Sequence, residues 1–388
     1  MNLVKLFSLL ILFSSISFAQ VVKGKIVDEK NQPLPGANIY FDGTSIATIA
    51  DKDGAFQLQY GGKINSILAV SFIGYQTQYI KDYDNGKELN IVLKEAVNIL
   101  NEVVLKKDRF SRKQKLKLFR EQFLGQTIVG RKAKIENEDD LYFDYDETTN
   151  TFKAYSDKPL IINNALLGYK INYELVDFEV KFFSASISSS DVYRSFYLGL
   201  SRYEEIETNP KILKQRQKCY EGSQLQFFRN LANNIWNKDN FLLFVDKFQD
   251  NPNDYFKITG DSDTKQVFVT KQNKSLVGKK FVAEFNLLYK KKQQSKIIFE
   301  TDTFFVDQFG NNSNVDNMIF SGYIAQLKVA DMVPLNYGIK ENALISQGVL
   351  LYSKFCTWYF LFRTSTSYFN LLFLHFFFNH FVEFVNFW

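Results

Sequence analysis

The residue types that most often carry acid–base and metal chemistry are unevenly distributed along this 388-residue chain. Its two histidines, His375 and His380, both lie near the C-terminus, so the preceding sequence contains no imidazole. Zinc peptidases that hold their metal through two histidines and a glutamate, and hydrolases with an imidazole base, require what this sequence lacks. Two cysteines are also too few for a disulfide-rich scaffold or a multi-cysteine metal cage. Histidine-dependent catalysis is therefore excluded before the C-terminal tail.

Paired carboxylates are the catalytic arrangement that the sequence still permits, because glycoside hydrolysis needs only two acids at a suitable separation. The candidate acids are Glu204, Glu205 and Glu207, or Asp139 and Asp140. Charged clusters of this kind also occur on solvated faces. A histidine-independent glycan hydrolase therefore remains the alternative to a non-catalytic function.

Two further features give weaker indications of chemistry. Asp51 and Asp53 precede Gly54 with a spacing similar to the opening of a calcium loop, but the distant bidentate glutamate is absent and turn capping accounts for the pair. Cys219 has no neighbouring base, which favours packing over nucleophilic catalysis. We therefore predict no catalytic, cofactor-binding or metal-ligating residues.

Tyrosines give the better indication of function. An exposed tyrosine offers a flat apolar face and a hydroxyl group to a sugar or a peptide, although strand cores also favour this residue. The tyrosines that recur along residues 116–338 are Tyr142, Tyr145, Tyr155, Tyr169, Tyr173, Tyr193, Tyr197 and Tyr203.

The N-terminus has the pattern of a cleavable secretory signal. Lys5 precedes a short apolar run, Leu6–Phe13, and cleavage is predicted after Ala19. The run is shorter than the ~20 residues that a membrane span needs, so we expect an exported protein in the periplasm or at the outer membrane. The net charge of +5 is mild, and the basic stretch 106–117 is interpreted as a solvated linker, with no nucleic-acid partner.

The apolar content, 46%, is sufficient for two domain cores. Residues 20–95 alternate short β-rich runs with turns that contain Gly, Pro and Asp, which predicts an antiparallel β-sandwich. The runs Val22–Val27, Ala37–Phe41 and Ala55–Tyr60 are typical of its strands.

The motifs of this segment resemble those of the carboxypeptidase-regulatory-like domain. They are Gly24-Lys-Ile-Val-Asp28, Pro33-Leu-Pro-Gly-Ala-Asn-Ile-Tyr40, Gly43-Thr44, Asp51-Lys-Asp-Gly-Ala-Phe56 and Ser71-Phe-Ile-Gly-Tyr75. The resemblance covers about residues 21–94 and implies a non-catalytic, transthyretin-like sandwich, common at the start of exported Bacteroidetes proteins that include TonB-dependent outer-membrane receptors. The remaining chain is too short for a receptor's plug and 22-stranded barrel, so we expect no nutrient receptor unless the sequence is a fragment.

After a linker, 96–115, residues 116–338 predict a second β-rich domain with one substantial helix. Thr208 is expected to cap this helix, which Pro210 would open and which would continue to about Trp236. A shorter helix is expected over Leu116–Leu124, ending at Gly125. Runs such as Leu167-Gly-Tyr-Lys-Ile-Asn-Tyr173 are similar to an extension of uncharacterised exported Bacteroidetes proteins, a resemblance that spans about residues 115–337 and implies no activity.

The composition changes to a Phe-rich tail over residues 339–388. One interpretation is a tail that inserts into a membrane. The polar residues within this segment argue against that interpretation, because polar groups are costly inside a bilayer. His375, Asn379 and Glu383 would share a helix face, which permits a metal site without implying one. An out-of-frame extension is favoured, since T-rich DNA encodes mainly Phe, Leu, Tyr and Ser, and intact-mass analysis of the native protein would test it.

Together these observations predict a non-catalytic exported binding or structural module of the cell envelope. The expected partners are an envelope glycan, a peptide or an outer-membrane protein, with membrane association through the tail as a further interpretation.

Overall fold

The computed structural model describes residues 19–61, 66–81, 83, 87–96, 109–261, 264–272 and 281–339. Strands and mainly antiparallel sheets dominate these ranges, which confirms the predicted mainly β class. No helix within them is long and apolar enough to cross a membrane. The predicted signal peptide before Ala19, linker residues 97–108 and the tail from residue 340 lie outside the described residues.

Two sheets share one core in the N-terminal region. Their strands are β1 (Ala19–Asp28), β2 (Asn38–Phe41), β3 (Ala47–Ile49), β4 (Ala55–Gly61), β5 (Leu68–Ser71), β6 (Gln78–Ile80) and β7 (Glu88–Leu93). One sheet has the order β4-β1-β7 and the other β3-β2-β5-β6. The β1–β7 pair is parallel and the other pairs are antiparallel. Ile26, Ile39, Phe41, Leu68 and Val70 are fully buried between the sheets.

A second core lies between a six-stranded sheet and two helices. The elements are α1 (Arg112–Phe123), α2 (Ile128–Lys132), β8 (Lys134–Ile135), β9 (Leu141–Asp146), β10 (Thr151–Ser156), β11 (Leu160–Asn164), β12 (Tyr169–Phe182) and β13 (Val192–Glu205). The long strand β12 pairs with β11 and then β10 along one edge, and with β13 along the other. Phe119 and Phe123 of α1 pack against Phe178 of β12. Helix α1 begins earlier than predicted because Ser111 and Gln114 form a capping box.

The predicted helix from Pro210 to Trp236 was wrong in two respects. The region folds as two helices, α3 (Pro210–Tyr220) and α4 (Gln224–Ala232), because Gly222 has a φ of 73° and Ser223 caps a new helix. The cap of α3 is Asn209 rather than Thr208, since the Asn209 side chain accepts from the N–H groups of Lys211 and Ile212.

The third core is formed by two further sheets and α4. The elements are β14 (Phe241–Val245), β15 (Phe248–Gln249), β16 (Phe256–Gly260), β17 (Thr264–Val269), β18 (Ala283–Tyr289), β19 (Gln293–Phe299), β20 (Thr303–Asp307), β21 (Met318–Gly322) and α5 (Tyr323–Gln326). Their sheets have the orders β15-β14-β18-β19-β21 and β16-β17-β20. Phe256, Phe285, Phe299 and Phe304 form a continuous series of ring contacts. The β-rich run Lys296–Asp307 is divided between β19 and β20.

The segment 327–339 connects these cores. Val329 and Ala330 are buried in the second core, whereas Leu335 packs on the N-terminal core together with Phe309. Arg229 of α4 holds this segment by donating to the backbone carbonyls of Phe309, Leu335 and Tyr337, at 2.8, 2.7 and 2.8 Å.

Candidate functional site

The eight tyrosines singled out in the sequence divide into three groups by burial. Tyr169, Tyr173 and Tyr203 are buried and belong to the second core. Tyr145 and Tyr197 are half-buried and pack against that core. Tyr142, Tyr155 and Tyr193 are exposed, by 54%, 49% and 53%. Only these last three offer aromatic surface to a ligand.

Tyr142 and Tyr155 face each other across two paired strands. Tyr142 of β9 lies directly opposite Tyr155 of β10 in the antiparallel register. Directly opposed residues of such a pair place their Cβ atoms about 5 Å apart, so the two exposed side chains begin side by side on the outer face of the sheet. The next outward pair along the strands is Asp144 and Lys153. We call Tyr142 and Tyr155 the tyrosine pair.

The turn that joins β9 to β10 is closed by its own polar groups. Asp146 accepts hydrogen bonds from the hydroxyl groups of Thr148 and Thr149, at 2.6 and 2.8 Å, and from the N–H of Thr148. These donors stabilise the ionised carboxylate and lower the pKa of Asp146 to about 2. Asn150 adopts a φ of 51°, which asparagine tolerates better than most residues. The hairpin that carries the tyrosine pair is therefore ordered independently of a ligand.

The candidate acids do not converge on one cleft. Glu204 and Glu205 are consecutive residues of β13, so their side chains point to opposite faces of the sheet. Glu207 accepts from the side chain of Asn209 next to the start of α3. Asp140 forms an ion pair with Lys158 at 2.9 Å, and hydrogen bonds from Asn137 and Lys158 lower its pKa, which opposes a role as general acid.

Glu205 belongs to a structural cluster around a buried arginine. Its carboxylate is paired with Arg216 of α3, whose side chain is 3% exposed. Arg216 also donates to the carbonyl groups of Leu167 and Glu207, at 2.7 and 3.0 Å, and its guanidinium lies 3.9 Å from the ring centroid of Tyr169. The cluster fixes α3 against the start of β12, and this accounts for Glu205 without a catalytic role.

The remaining candidates have local structural roles. Asp51 accepts from the N–H groups of Asp53 and Ala55, both at 2.9 Å, and therefore closes a turn. Cys219 is buried, and burial raises the pKa of its thiol to about 12, which disfavours the thiolate. Within the described ranges, no three His, Cys, Asp or Glu side chains are grouped closely enough to hold a metal ion.

An interface that the sequence does not predict joins the N-terminal sandwich to the edge of β13. Gly43 donates its N–H to the carbonyl of Ser201 at 2.7 Å, and Tyr203 donates to the carbonyl of Thr44 at 3.0 Å. Thr44 and Arg202 form a parallel bridge. We call residues 42–44 and 201–203 the joint. It covers part of an edge whose backbone groups would otherwise be unpaired.

Charged side chains surround the joint. Arg202 donates to the side chain of Asn38 at 3.1 Å and lies 5.9 Å from the ring centroid of Tyr40. Tyr79 of β6 donates its hydroxyl to Glu174 of β12. These contacts hold β2 and β6 of the sandwich against the outer face of the six-stranded sheet. The sequence does not predict these contacts, because each joins two residues that are more than 90 positions apart. The residue types involved are also common on protein surfaces.

Comparison with known proteins identifies the sandwich. Residues 22–105 match the CarboxypepD_reg-like domain. The N-terminal region is also similar to the TonB-dependent receptor SusC of Bacteroides thetaiotaomicron, with 43% identity over 97 residues, which are 24% of this chain and 9% of the receptor. It is 33% identical over 105 residues to the TonB-dependent receptor P39 of Formosa agariphila, covering 26% of this chain and 10% of that receptor. The resemblance found in the motifs is therefore confirmed for this region.

The similarity to these two receptors covers about a quarter of this chain. The chain spans about a tenth of the length of the two curated receptors that it matches. Among solved structures, a chain of a type II cohesin–X-dockerin complex from Acetivibrio cellulolyticus is similar over 20% of this chain and 58% of its own length. That similarity has 18% identity and a TM-score of 0.18, too low to indicate a common fold.

Proposed function

We propose that the protein is a non-catalytic, exported module of the cell envelope that binds glycan through the tyrosine pair. The observation that carries this proposal is the opposed position of Tyr142 and Tyr155, each about half exposed, on an ordered hairpin. Two adjacent rings offer an apolar face of the kind on which a sugar ring can stack, and their hydroxyl groups can bond to the sugar.

The neighbours of the pair favour a polar ligand. Asp144 is exposed and lies opposite Lys153, which reaches Glu179 of β12 at 3.8 Å. These groups can donate to and accept from sugar hydroxyls beside the rings. A purely apolar ligand would remove water from these charged groups without offering hydrogen bonds in return. The chemistry of this face therefore suits a glycan better than an apolar molecule.

The CarboxypepD_reg-like domain has a supporting role in this proposal. It contacts the six-stranded sheet at the joint and at Glu174, while Tyr142 and Tyr155 stay about half exposed. Fixing the sandwich there leaves the tyrosine pair accessible. Similarity to TonB-dependent receptors supports a place in the envelope, periplasmic or associated with the outer membrane.

A glycan array tests the proposal with the full chain. Hits should weaken about tenfold or more in the variant Tyr142→Ala/Tyr155→Ala, because both rings are lost. Tyr193→Ala is the matched control, since it removes an equally exposed tyrosine from β13. Equal losses in both variants, or binding to peptides and to no glycan, would contradict the proposal. Mass spectrometry of every hit should find intact glycan, and cleavage products would favour the hydrolase instead.

A further inference from the structure

A stripe of exposed lysines runs along α3 and continues onto the turn between β18 and β19. Lys211, Lys214 and Lys218 are exposed and spaced by three and four residues, so they share one helix face. Glu221, three residues after Lys218, continues this face. Its carboxylate binds Lys290 at 2.9 Å, which brings the turn residues Lys290, Lys291 and Lys292 to the end of the helix. We call these six lysines the lysine stripe.

The turn is held in this position by backbone and side-chain packing. Lys292 donates its N–H to the carbonyl of Tyr289 at 3.0 Å, which closes a four-residue turn. A Cβ atom on Gly222, between α3 and α4, would lie 3.1 Å from Tyr289 Cδ1. The N–H of Lys290 donates to the carbonyl of Asn240 at 2.9 Å. The turn and the helix end therefore form one surface.

The residue choice in the turn is unfavourable for folding. Lys290 and Lys291 both have positive φ, 47° and 55°, the geometry of a type I′ turn. Such turns strongly prefer Asn-Gly, because residues with a full side chain are strained there. Lysines that occupy strained positions on an exposed turn point to a function for their charge.

The acids near the stripe neutralise one of its six lysines. Glu221 is paired with Lys290, and Glu207 accepts from Asn209 ahead of the helix. Asp239 is exposed on the neighbouring loop and adjoins another exposed lysine, Lys238. Lysine, unlike arginine, is a compact, hydrated charge on a flexible stem, and this suits an extended anionic surface better than a single planar group.

We propose that the lysine stripe is a docking surface for a lipid bilayer that carries phosphate headgroups in anionic lipids. Several lysines near one anionic surface add their attractions, and the attraction is screened by salt. Tyr142 and Tyr155 take no part in this surface, so the inference is independent of glycan binding.

Vesicle co-sedimentation of the full chain tests this inference. Vesicles of phosphatidylglycerol and phosphatidylcholine in equal parts should retain the protein more than vesicles of phosphatidylcholine alone, and added salt should reduce the difference. The variant Lys214→Gln/Lys218→Gln/Lys292→Gln should bind the anionic vesicles at least about tenfold more weakly. It spares Lys290, which pairs with Glu221, and Lys291, which has the strained backbone. Binding of the protein to lipid that does not depend on charge should be equal for the two vesicle types, so the difference between them reports the electrostatic part.

The matched control is Lys23→Gln/Lys25→Gln/Lys94→Gln, which removes three exposed lysines of the sandwich and lowers the net charge equally. It should bind as the wild type does. An equal loss in this control, or no preference for anionic vesicles in the wild type, would overturn the inference. Displacement by millimolar inorganic phosphate at constant ionic strength would assign the stripe to a soluble phosphate group and overturn the bilayer as its ligand.

Discussion

The carboxylate of Asp42 accepts a hydrogen bond of 2.6 Å from the backbone N–H of Ser201, 159 residues further along the chain. This contact connects the CarboxypepD_reg-like domain to the edge of β13. Burial at the joint raises the pKa of Asp42 to about 6, and nearby Glu174 acts in the same direction. Ionising Asp42 therefore costs more free energy in the folded protein than in the unfolded chain. At neutral pH, where the carboxylate is ionised, the joint contains a charge that opposes docking.

The first prediction concerns the variant Asp42→Asn. The amide oxygen can still accept from Ser201, while the charge is removed. Because the folded pKa lies above the unfolded value near 3.8, wild-type stability should increase as the pH falls from about 7 towards 4. The variant should be more stable than the wild type at pH 7.5, by on the order of 1 kcal/mol for this partly exposed group, and the difference should vanish near pH 4.

Thermal unfolding across this pH range measures the effect. Asp53→Asn, which removes an equal charge from an exposed turn of the same sandwich, is the control for the change in net charge. Asp307 and Asp331 are buried and also have pKa values raised to about 6 by burial, so part of the wild-type slope should persist in Asp42→Asn. A wild type that loses stability between pH 7 and pH 5 would contradict this interpretation.

The sandwich was predictable from the sequence because its signals are local. Alternating runs such as Ala55–Tyr60 predict half-buried strands, and its five motifs identify the family. Helix ends were less predictable: Thr208 and Asn209 both suit an N-cap, and only the fold shows which side chain reaches the free N–H groups. The joint could not be predicted, since nothing near Asp42 in the sequence indicates that it meets Ser201.

The tyrosine pair was predictable only in part. The sequence indicated eight tyrosines without separating exposed rings from buried ones. Strand register makes that distinction, because Tyr142 faces outwards while Tyr173 points into the core. The sequence shows the lysines of α3 and the lysine run 290–292, but not that they are neighbours. That proximity depends on the ion pair between Glu221 and Lys290, which lie on different elements.

A second prediction concerns Gly168, at the start of β12. Its φ is 64°, and a Cβ atom there would lie 2.1 Å from the carbonyl oxygen of Glu207. That oxygen belongs to the backbone and accepts from Arg216, so it cannot move freely. Gly168→Ala should destabilise the fold by about 3 kcal/mol, as measured by chemical denaturation.

Gly36→Ala is the matched control for this substitution. Gly36 has a φ of 83°, so alanine there is strained in its backbone. No atom lies within 4 Å of the position that a Cβ would occupy, so alanine causes no steric clash. Its cost should be about 1 kcal/mol. Equal costs at the two positions would show that the contact with Glu207 is relieved by relaxation.

A third prediction separates the two members of the Arg216–Glu205 pair. Arg216→Met keeps much of the packing on Tyr169 but leaves the carbonyl groups of Leu167 and Glu207 without their donor. It should cost about 3–5 kcal/mol. Glu205→Gln should cost about 1 kcal/mol or less, because its side chain is 48% exposed and solvent compensates for the lost charge.

Denaturation curves measure both costs, and glycan turnover assays test the role of Glu205. A structural Glu205 predicts that the Gln variant binds glycan as the wild type does. If the wild type cleaved a glycan and Glu205→Gln did not, the carboxylate would have a catalytic role, and the assignment of Glu205 to the cluster alone would be wrong.

The fourth prediction uses the strained turn of the lysine stripe to separate stability from binding. Lys291 has a φ of 55° at the position where a type I′ turn prefers glycine. Lys291→Gly should therefore stabilise the fold by about 0.5–1 kcal/mol while weakening the binding of anionic vesicles.

The control Lys292→Gly removes the same charge from the adjacent residue, whose φ is not positive, so it should destabilise the fold by a similar amount. The unfolding midpoint should rise in Lys291→Gly and fall in Lys292→Gly, while both variants lose vesicle binding. That result would establish that Lys291 contributes to vesicle binding although it destabilises the fold. Shifts of the same sign would mean that the turn is not strained, and unchanged vesicle binding in both variants would remove the reason for placing lysines there.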